Sequence, residues 1–363
     1  MRGSSKENVA MSITKRLYLA SIATLVIAAI LLYTLAWPAW QQQLTATESS
    51  RLALLINNAK PATAQMRLNH QQLRADLNWL AHPDRQGRKP GTVGGITARN
   101  WLAEQFATIG LLPAGSDQFF QPFSVEQHFK VSRWLRGQNG TIAAVDNAAN
   151  VVGLLPGLNK ALQPIVLTAH YDHLGIQNDL LFAGADDNAS GVATLLELAR
   201  YFSANPTAHP LLFVALDAEE GGLQGAVALF QHQLLKPEQL AFNVNMDMLS
   251  RDTNQLLYAV GSYQQPWLSP LLQQLQQHSA VKVIAGHDRP WYRAGNTTDW
   301  TLSSDHGVFH QQKVPFIYFG VADHADYHTE RDTDDKVDDN FYFQVSETIL
   351  SFILLLDKQL SQR

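Results

Sequence analysis

Apolar residues along the chain fall into short continuous runs separated by stretches of helical period. Runs at Phe120–Val125, Thr141–Ala144, Val151–Leu155, Ile165–Ala169, Leu211–Leu216, Phe242–Met246 and Phe316–Phe319 predict strands. Helices are predicted between several of them, over Val192–Phe202, Leu223–Leu235 and Trp267–His278. Upstream, Ile96–Ile109 carries Ala98, Trp101, Leu102, Phe106 and Ile109 at near-helical spacing. A first helix is expected before the Gly- and Pro-bearing loop His82–Gly95. Apolar strands alternating with helices indicate an α/β fold, a single domain whose mixed central β-sheet is covered by helices on both faces. The residues between Gly115 and Val151 are too few for a large inserted domain.

The N-terminal pattern is different. Leu17 to Trp37 contains no charged side chain, long enough as a helix to span a hydrocarbon core of roughly 30 Å. Tyr33, Trp37 and Trp40 lie at its far end, where amphipathic rings favour a membrane interface. Arg2, Lys6, Lys15 and Arg16 precede it and no basic residue follows until Arg51, which orients the N-terminus to the cytoplasm. The expected organisation is a cytoplasmic tail over 1–16, a transmembrane anchor over 17–37, a polar stalk over 38–72 and an exported, periplasmic-type domain over 73–360. A cleaved signal peptide is the alternative, although the apolar run is long for one.

Composition narrows the chemistry. The 363 residues, 46% hydrophobic, are enough to bury a substantial core. A net charge of -5 without any basic stripe excludes nucleic acid as a partner. There is no cysteine, so disulfides, thiolate metal sites and thiol nucleophiles are excluded. Any metal must be held by His, Asp and Glu.

Such residues gather where the predicted strands end. Ile165–Ala169 runs into His170-Tyr171-Asp172-His173, Leu211–Leu216 into Asp217-Ala218-Glu219-Glu220, and Phe242–Met246 into Asp247. Gly184-Ala185-Asp186-Asp187-Asn188-Ala189-Ser190-Gly191 opens a helix, and Tyr327-His328-Thr329-Glu330-Arg331-Asp332 comes later. So many carboxylates at buried strand ends repel one another unless cations lie among them. Oxygen and imidazole ligands suit zinc, manganese or cobalt, and two divalent ions balance the acidic load better than one.

Taken in order, these motifs resemble the dizinc aminopeptidases of metallopeptidase clan MH, the family of the bacterial leucyl aminopeptidases. The likeness covers about Leu73 to Leu355 and includes Gly87-Arg88-Lys89-Pro90-Gly91-Thr92 and Asn150-Val151-Val152-Gly153. The resemblance implies two Zn2+ per chain. It implies that His170 and Asp247 ligate the first ion, that Glu220 and His328 ligate the second, and that Asp186 bridges them. It also implies a cis peptide bond between Asp186 and Asp187, Asp172 as the partner behind His170, and Glu219 as general base. Peptides with a free N-terminus would then be the substrates. Water on such ions has its pKa lowered toward 7, and a neighbouring carboxylate can take its proton.

Related branches are the rival readings: carboxypeptidases and N-acyl deacylases, glutaminyl cyclases, and non-catalytic binding relatives. Asp187 and Asn188 also suit the N-cap of the following helix. Ser304-Asp305-His306 imitates a serine triad, but triad members adjoin in space rather than in sequence, and a supporting place in the pocket wall suits Asp305 and His306. His287, His310 and His324 read as surface residues. Asp332–Asp339 reads as a solvated acidic loop from which Asp332 orients His328.

Overall fold

The computed structural model describes residues 21–31, 33–34, 37–63, 65–125, 145–294 and 297–362. The expected strand Thr141–Ala144 lies outside them, as does part of the expected anchor. Residues 21–31 are helical, but no helix among the described residues is long and apolar enough to cross a membrane. The described residues up to Arg51, with Arg289–Thr298, form one compact unit, in which Glu48 pairs with Arg51 at 2.6 Å. Leu52–Asp288 with Asp299–Arg363 form the other, which carries the sheet.

The stretch expected as a polar stalk covers residues 38–72. Helix α1 (Trp37–Asn58) occupies much of that stretch. From Leu52 onward the segment belongs to the larger unit: Leu52 packs with Leu256, Tyr258 and Ile284, and Ala62 N–H donates to the Ser279 carbonyl at 2.7 Å. Helices α2 (His70–Ala81) and α3 (Val93–Ile109) follow. Asn69 and Thr92 cap them, each accepting a backbone N–H with its side-chain oxygen.

The strands are β1 (Leu112–Pro113), β2 (Phe120–Val125), β3 (Val145–Leu155), β4 (Ile165–His170), a small hairpin of β5 (Gly175–Gln177) and β6 (Leu180–Phe182), β7 (Leu211–Leu216), β8 (Phe242–Met246), β9 (Leu256–Val260), β10 (Lys282–Ala285) and β11 (Phe316–Gly320). The main sheet runs β1-β3-β7-β4-β8-β11-β9-β10, with β2 also paired to β3. β7, β4, β8 and β11 are mutually parallel, whereas β3 and β9 run against their neighbours β7 and β11. The sheet is therefore mixed, as expected. Helices α4 (Gly191–Ala204), α5 (Gln224–Gln231), α6 (Leu268–Gln276), α7 (His306–Gln311) and α8 (Asp339–Leu360) complete the unit.

Alternation along each strand decides which helix it meets. Leu167, Phe213, Val244 and Phe319 point to the face covered by α2, α3, α4, α6 and α8. Val166, Leu212, Val214 and Leu216 point to the other face, against Ala226 and Leu229 of α5 and Val308 and Phe309 of α7. With both faces covered, the central strands are buried at every position. That explains why they read as continuous rather than alternating apolar runs.

Candidate metal centre

Because β7, β4 and β8 are parallel, their carboxyl ends share one edge of the sheet, where an α/β fold binds ligands. His170 is the last residue of β4 and Asp247 directly follows β8. After β7 the chain turns through Asp217 and Ala218, the latter at φ 58°, to present Glu219 and Glu220. The loop Ala185–Ser190 delivers Asp187 to the same place before α4 begins.

Two groups of potential ligands result, and they share one residue. In the first, His170 Nε2 lies 3.3 Å from Asp187 Oδ1 and 3.2 Å from Asp247 Oδ1. The second forms around the other Asp187 oxygen. His328 Nε2 is 3.1 Å from Asp187 Oδ2 and 3.0 Å from Glu220 Oε2. His173 Nδ1 is 3.7 Å from Asp187 Oδ2 and 2.7 Å from Glu220 Oε1. Asp187 thus faces one group with each oxygen, the arrangement a bridging carboxylate needs.

The shared residue is Asp187 and not Asp186, which corrects the sequence expectation by one position. Asp186 turns away: its Oδ1 accepts from Ser250 N–H and Ser250 Oγ, both at 2.7 Å, and its Oδ2 meets His324 Nε2 at 3.0 Å. The cis peptide bond is displaced likewise, joining Asp187 to Asn188. Ser190 stands at the N-cap of the following helix, and Asn188 Oδ1 accepts from Gly191 N–H and Met248 N–H. Asp187 has no capping role.

Supporting contacts fix this geometry. Asp172 Oδ1 lies 3.5 Å from His170 Nδ1 and accepts Glu219 N–H at 3.0 Å, and its Oδ2 accepts Glu220 N–H at 3.4 Å. One carboxylate therefore ties a histidine to the Glu219-Glu220 turn. Asp332 accepts Asp186 N–H and Asp187 N–H, each at 3.0 Å, one with each oxygen. It thus holds the Asp187 turn rather than orienting His328, and it is buried rather than part of a solvated loop. Asp217 accepts the Tyr171 hydroxyl at 2.7 Å, and burial followed by the charge of Asp172 raises it to about 7.

Electrostatics show what these residues lack. Burial raises Glu219 well above the usual carboxylate range; His170 opposes this, while Asp305, Asp247 and Glu220 add to it. Burial pulls His328 down, yet Asp187 and Glu220 outweigh it and push the imidazole up to about 10. Protons are thus drawn to a site crowded with carboxylates. Both His173 ring nitrogens and Glu220 Oε1 are buried without a hydrogen-bond partner, although the closest pair is only 2.7 Å apart. Orphaned buried donors and acceptors, with imidazole and carboxylate as the only ligand chemistry, fit two zinc ions. Their binding would displace protons from the same atoms.

Sequence reasoning gave His173 no role, although it stands three residues after His170; the family ligand set was already complete without it. His324, read as a surface residue, lies against Asp186 and Arg251. His287 stacks on Trp300 at 4.0 Å. Ser304, Asp305 and His306 form no triad: Ser304 Oγ accepts from Asn245 and His306 Nε2 meets the Trp300 carbonyl. Burial pushes His306 down to about 3 and lifts Asp305 to about 8. Neither Asp305 oxygen has a hydrogen-bond partner.

Comparison with known proteins places the chain in a family. Residues 150–353 match the model of peptidase family M28. Aminopeptidase YwaD of Bacillus subtilis is 29% identical over 51% of this chain and 39% of its own. Among solved structures, a zinc aminopeptidase from Bacillus subtilis superposes with a TM-score of 0.59 at 15% identity, covering 80% of this chain and 95% of that one. Glutaminyl cyclase from Bacteroides thetaiotaomicron does so at 0.60 and 18%, covering 79% and 98%. At these identities the superpositions show the fold alone. The chain spans about a fifth to a third of the length of the first curated relatives it matches. With more than half its residues matched, the chain belongs to peptidase family M28.

Proposed function

We propose that the protein is an aminopeptidase that removes N-terminal residues from peptides with two zinc ions. The observation that carries this reading is Asp187, whose two oxygens serve two separate His/Asp/Glu groups. His170, Asp187 and Asp247 would hold one ion, and Asp187, Glu220 and His328 the other, with His173 beside Glu220. When bound, the ions polarise the scissile carbonyl and acidify the attacking water.

Glu219 belongs to neither group and has its backbone fixed by Asp172. Its carboxylate takes the proton of the attacking water and passes it to the leaving amine.

Residues 17–37 supply a membrane anchor in this reading, with the catalytic unit exported. The support is the charge-free apolar run and the basic residues confined to its N-terminal side. Intact protein should then stay with membranes through a carbonate wash.

The test of activity compares a free-amine peptide with its N-acetylated counterpart. Stepwise release of N-terminal residues from the first, and very slow cleavage of the second, is expected. Equal rates would overturn the aminopeptidase assignment. Conversion of N-terminal glutamine without hydrolysis would instead place the chain with glutaminyl cyclases.

A further inference from the structure

The motif Gly87-Arg88-Lys89-Pro90-Gly91-Thr92 has no part in the chemistry described so far, yet Arg88 is fully buried. Its guanidinium makes no contact with a carboxylate. Nε donates to the Tyr171 carbonyl at 2.7 Å. Nη1 donates to the Leu80 carbonyl at 2.8 Å and the Ala183 carbonyl at 2.7 Å, and Nη2 to the Gly184 carbonyl at 2.8 Å. Tyr171 sits between His170 and Asp172, Ala183 and Gly184 lead into Asp187, and Leu80 lies in the last turn of α2. One planar fork therefore joins both ligand-bearing loops to a fixed helix end.

Local backbone geometry is shaped for this insertion. Gln86, Gly87 and Arg88 have φ of 49°, 63° and 51°. A Cβ on Gly87 would lie 2.1 Å from the Phe182 carbonyl oxygen, so the turn packs against β6 only with glycine there.

A buried cation paired only with carbonyls is costly unless a negative field compensates it. Burial lowers Arg88 to about 10, and Asp187, Asp332, Asp172 and Glu220 oppose that pull. The four carbonyl acceptors, rather than a paired carboxylate, fix where the guanidinium lies.

We infer that Arg88 is a positioning residue for the dinuclear centre, holding the His170–Asp172 and Gly184–Asp187 turns at the separation that lets Asp187 serve both ion sites. The inference rests on the two-zinc reading above. Loss of a residue important only for the fold would lower the stability of metal-free and zinc-loaded protein alike. Loss of a residue that preorganises the centre must also reduce what zinc adds.

The test uses the purified protein carrying Arg88→Lys and, separately, Arg88→Gln. Lysine keeps the charge but cannot reproduce the planar fork, and it serves alone if the Gln variant does not fold. Melting temperature is measured with and without zinc, and zinc affinity by titration of the metal-free protein. The expected result is a zinc-induced rise in melting temperature smaller than that of the wild type, with affinity at the weaker site about 10–100-fold lower. kcat should fall with it while KM changes little. A folded Arg88→Lys protein with the wild-type zinc increment and affinity would overturn the inference and leave the two-zinc reading standing. Absence of any zinc increment in the wild type would overturn both.

Discussion

At the residue scale, the proposed mechanism gives adjacent acidic residues different duties, and substitution separates them. Glu219→Gln should keep both zinc ions and lose turnover by about two to four orders of magnitude, the usual worth of a general base. Glu220→Gln removes one charge from the second group and should lower zinc content toward one ion per chain. Metal analysis beside turnover on both variants checks this; zinc loss from Glu219→Gln alone would reverse the roles. A similar contrast applies to Asp186 and Asp187. The Asp186 carboxylate accepts three close contacts from Ser250 and His324, so Asp186→Asn should lower the melting temperature while retaining zinc. His173→Gln should weaken zinc binding beside Glu220, whereas an unchanged zinc titration would make His173 a packing residue. Two consecutive aspartates look alike in the sequence. Which one faces the site is set by the Asp187 backbone (φ -104°, ψ 94°) and by Asp332, about 145 residues away in the chain.

At the element scale, the sequence made the central strands and α4 legible because burial on both faces leaves continuous apolar runs. It was less informative where tertiary contacts define an element. β9 and β10 complete the sheet beyond β11, where the order of strands in space departs from their order in the chain. Helix α1 is amphipathically weak and rich in Gln and Thr, which is why its stretch reads as stalk. The chain before α2 is held by Glu347 of α8, whose buried carboxylate accepts Arg67 N–H at 2.5 Å and Leu68 N–H at 2.7 Å. Glu347→Gln should destabilise the protein by about 1.5–3 kcal/mol, the range for hydrogen bonds to a charged group. Turnover per folded molecule should be unaffected; this is read from a melting curve and an activity assay on the same sample. The contacts of Leu52 and Ala62 also set where shortening is tolerated. A chain beginning at Leu52 should keep the melting temperature of the larger unit better than one beginning at Gln65, and both should hydrolyse peptides if they fold.

At the scale of the whole molecule, sequence order alone brought three ligand-bearing segments into view: those of His170, Glu220 and Asp247 end parallel strands, and parallel strands share an edge. What it could not supply was the angular placement that makes one aspartate common to two groups. The central claim is that this placement holds two ions, so the most direct measurement is the number of zinc ions bound per folded chain in the wild type, Asp187→Asn and Asp186→Asn. The account predicts two in the wild type, fewer than one in Asp187→Asn and two in Asp186→Asn. A single ion in the wild type, or zinc loss confined to Asp186→Asn, would contradict it.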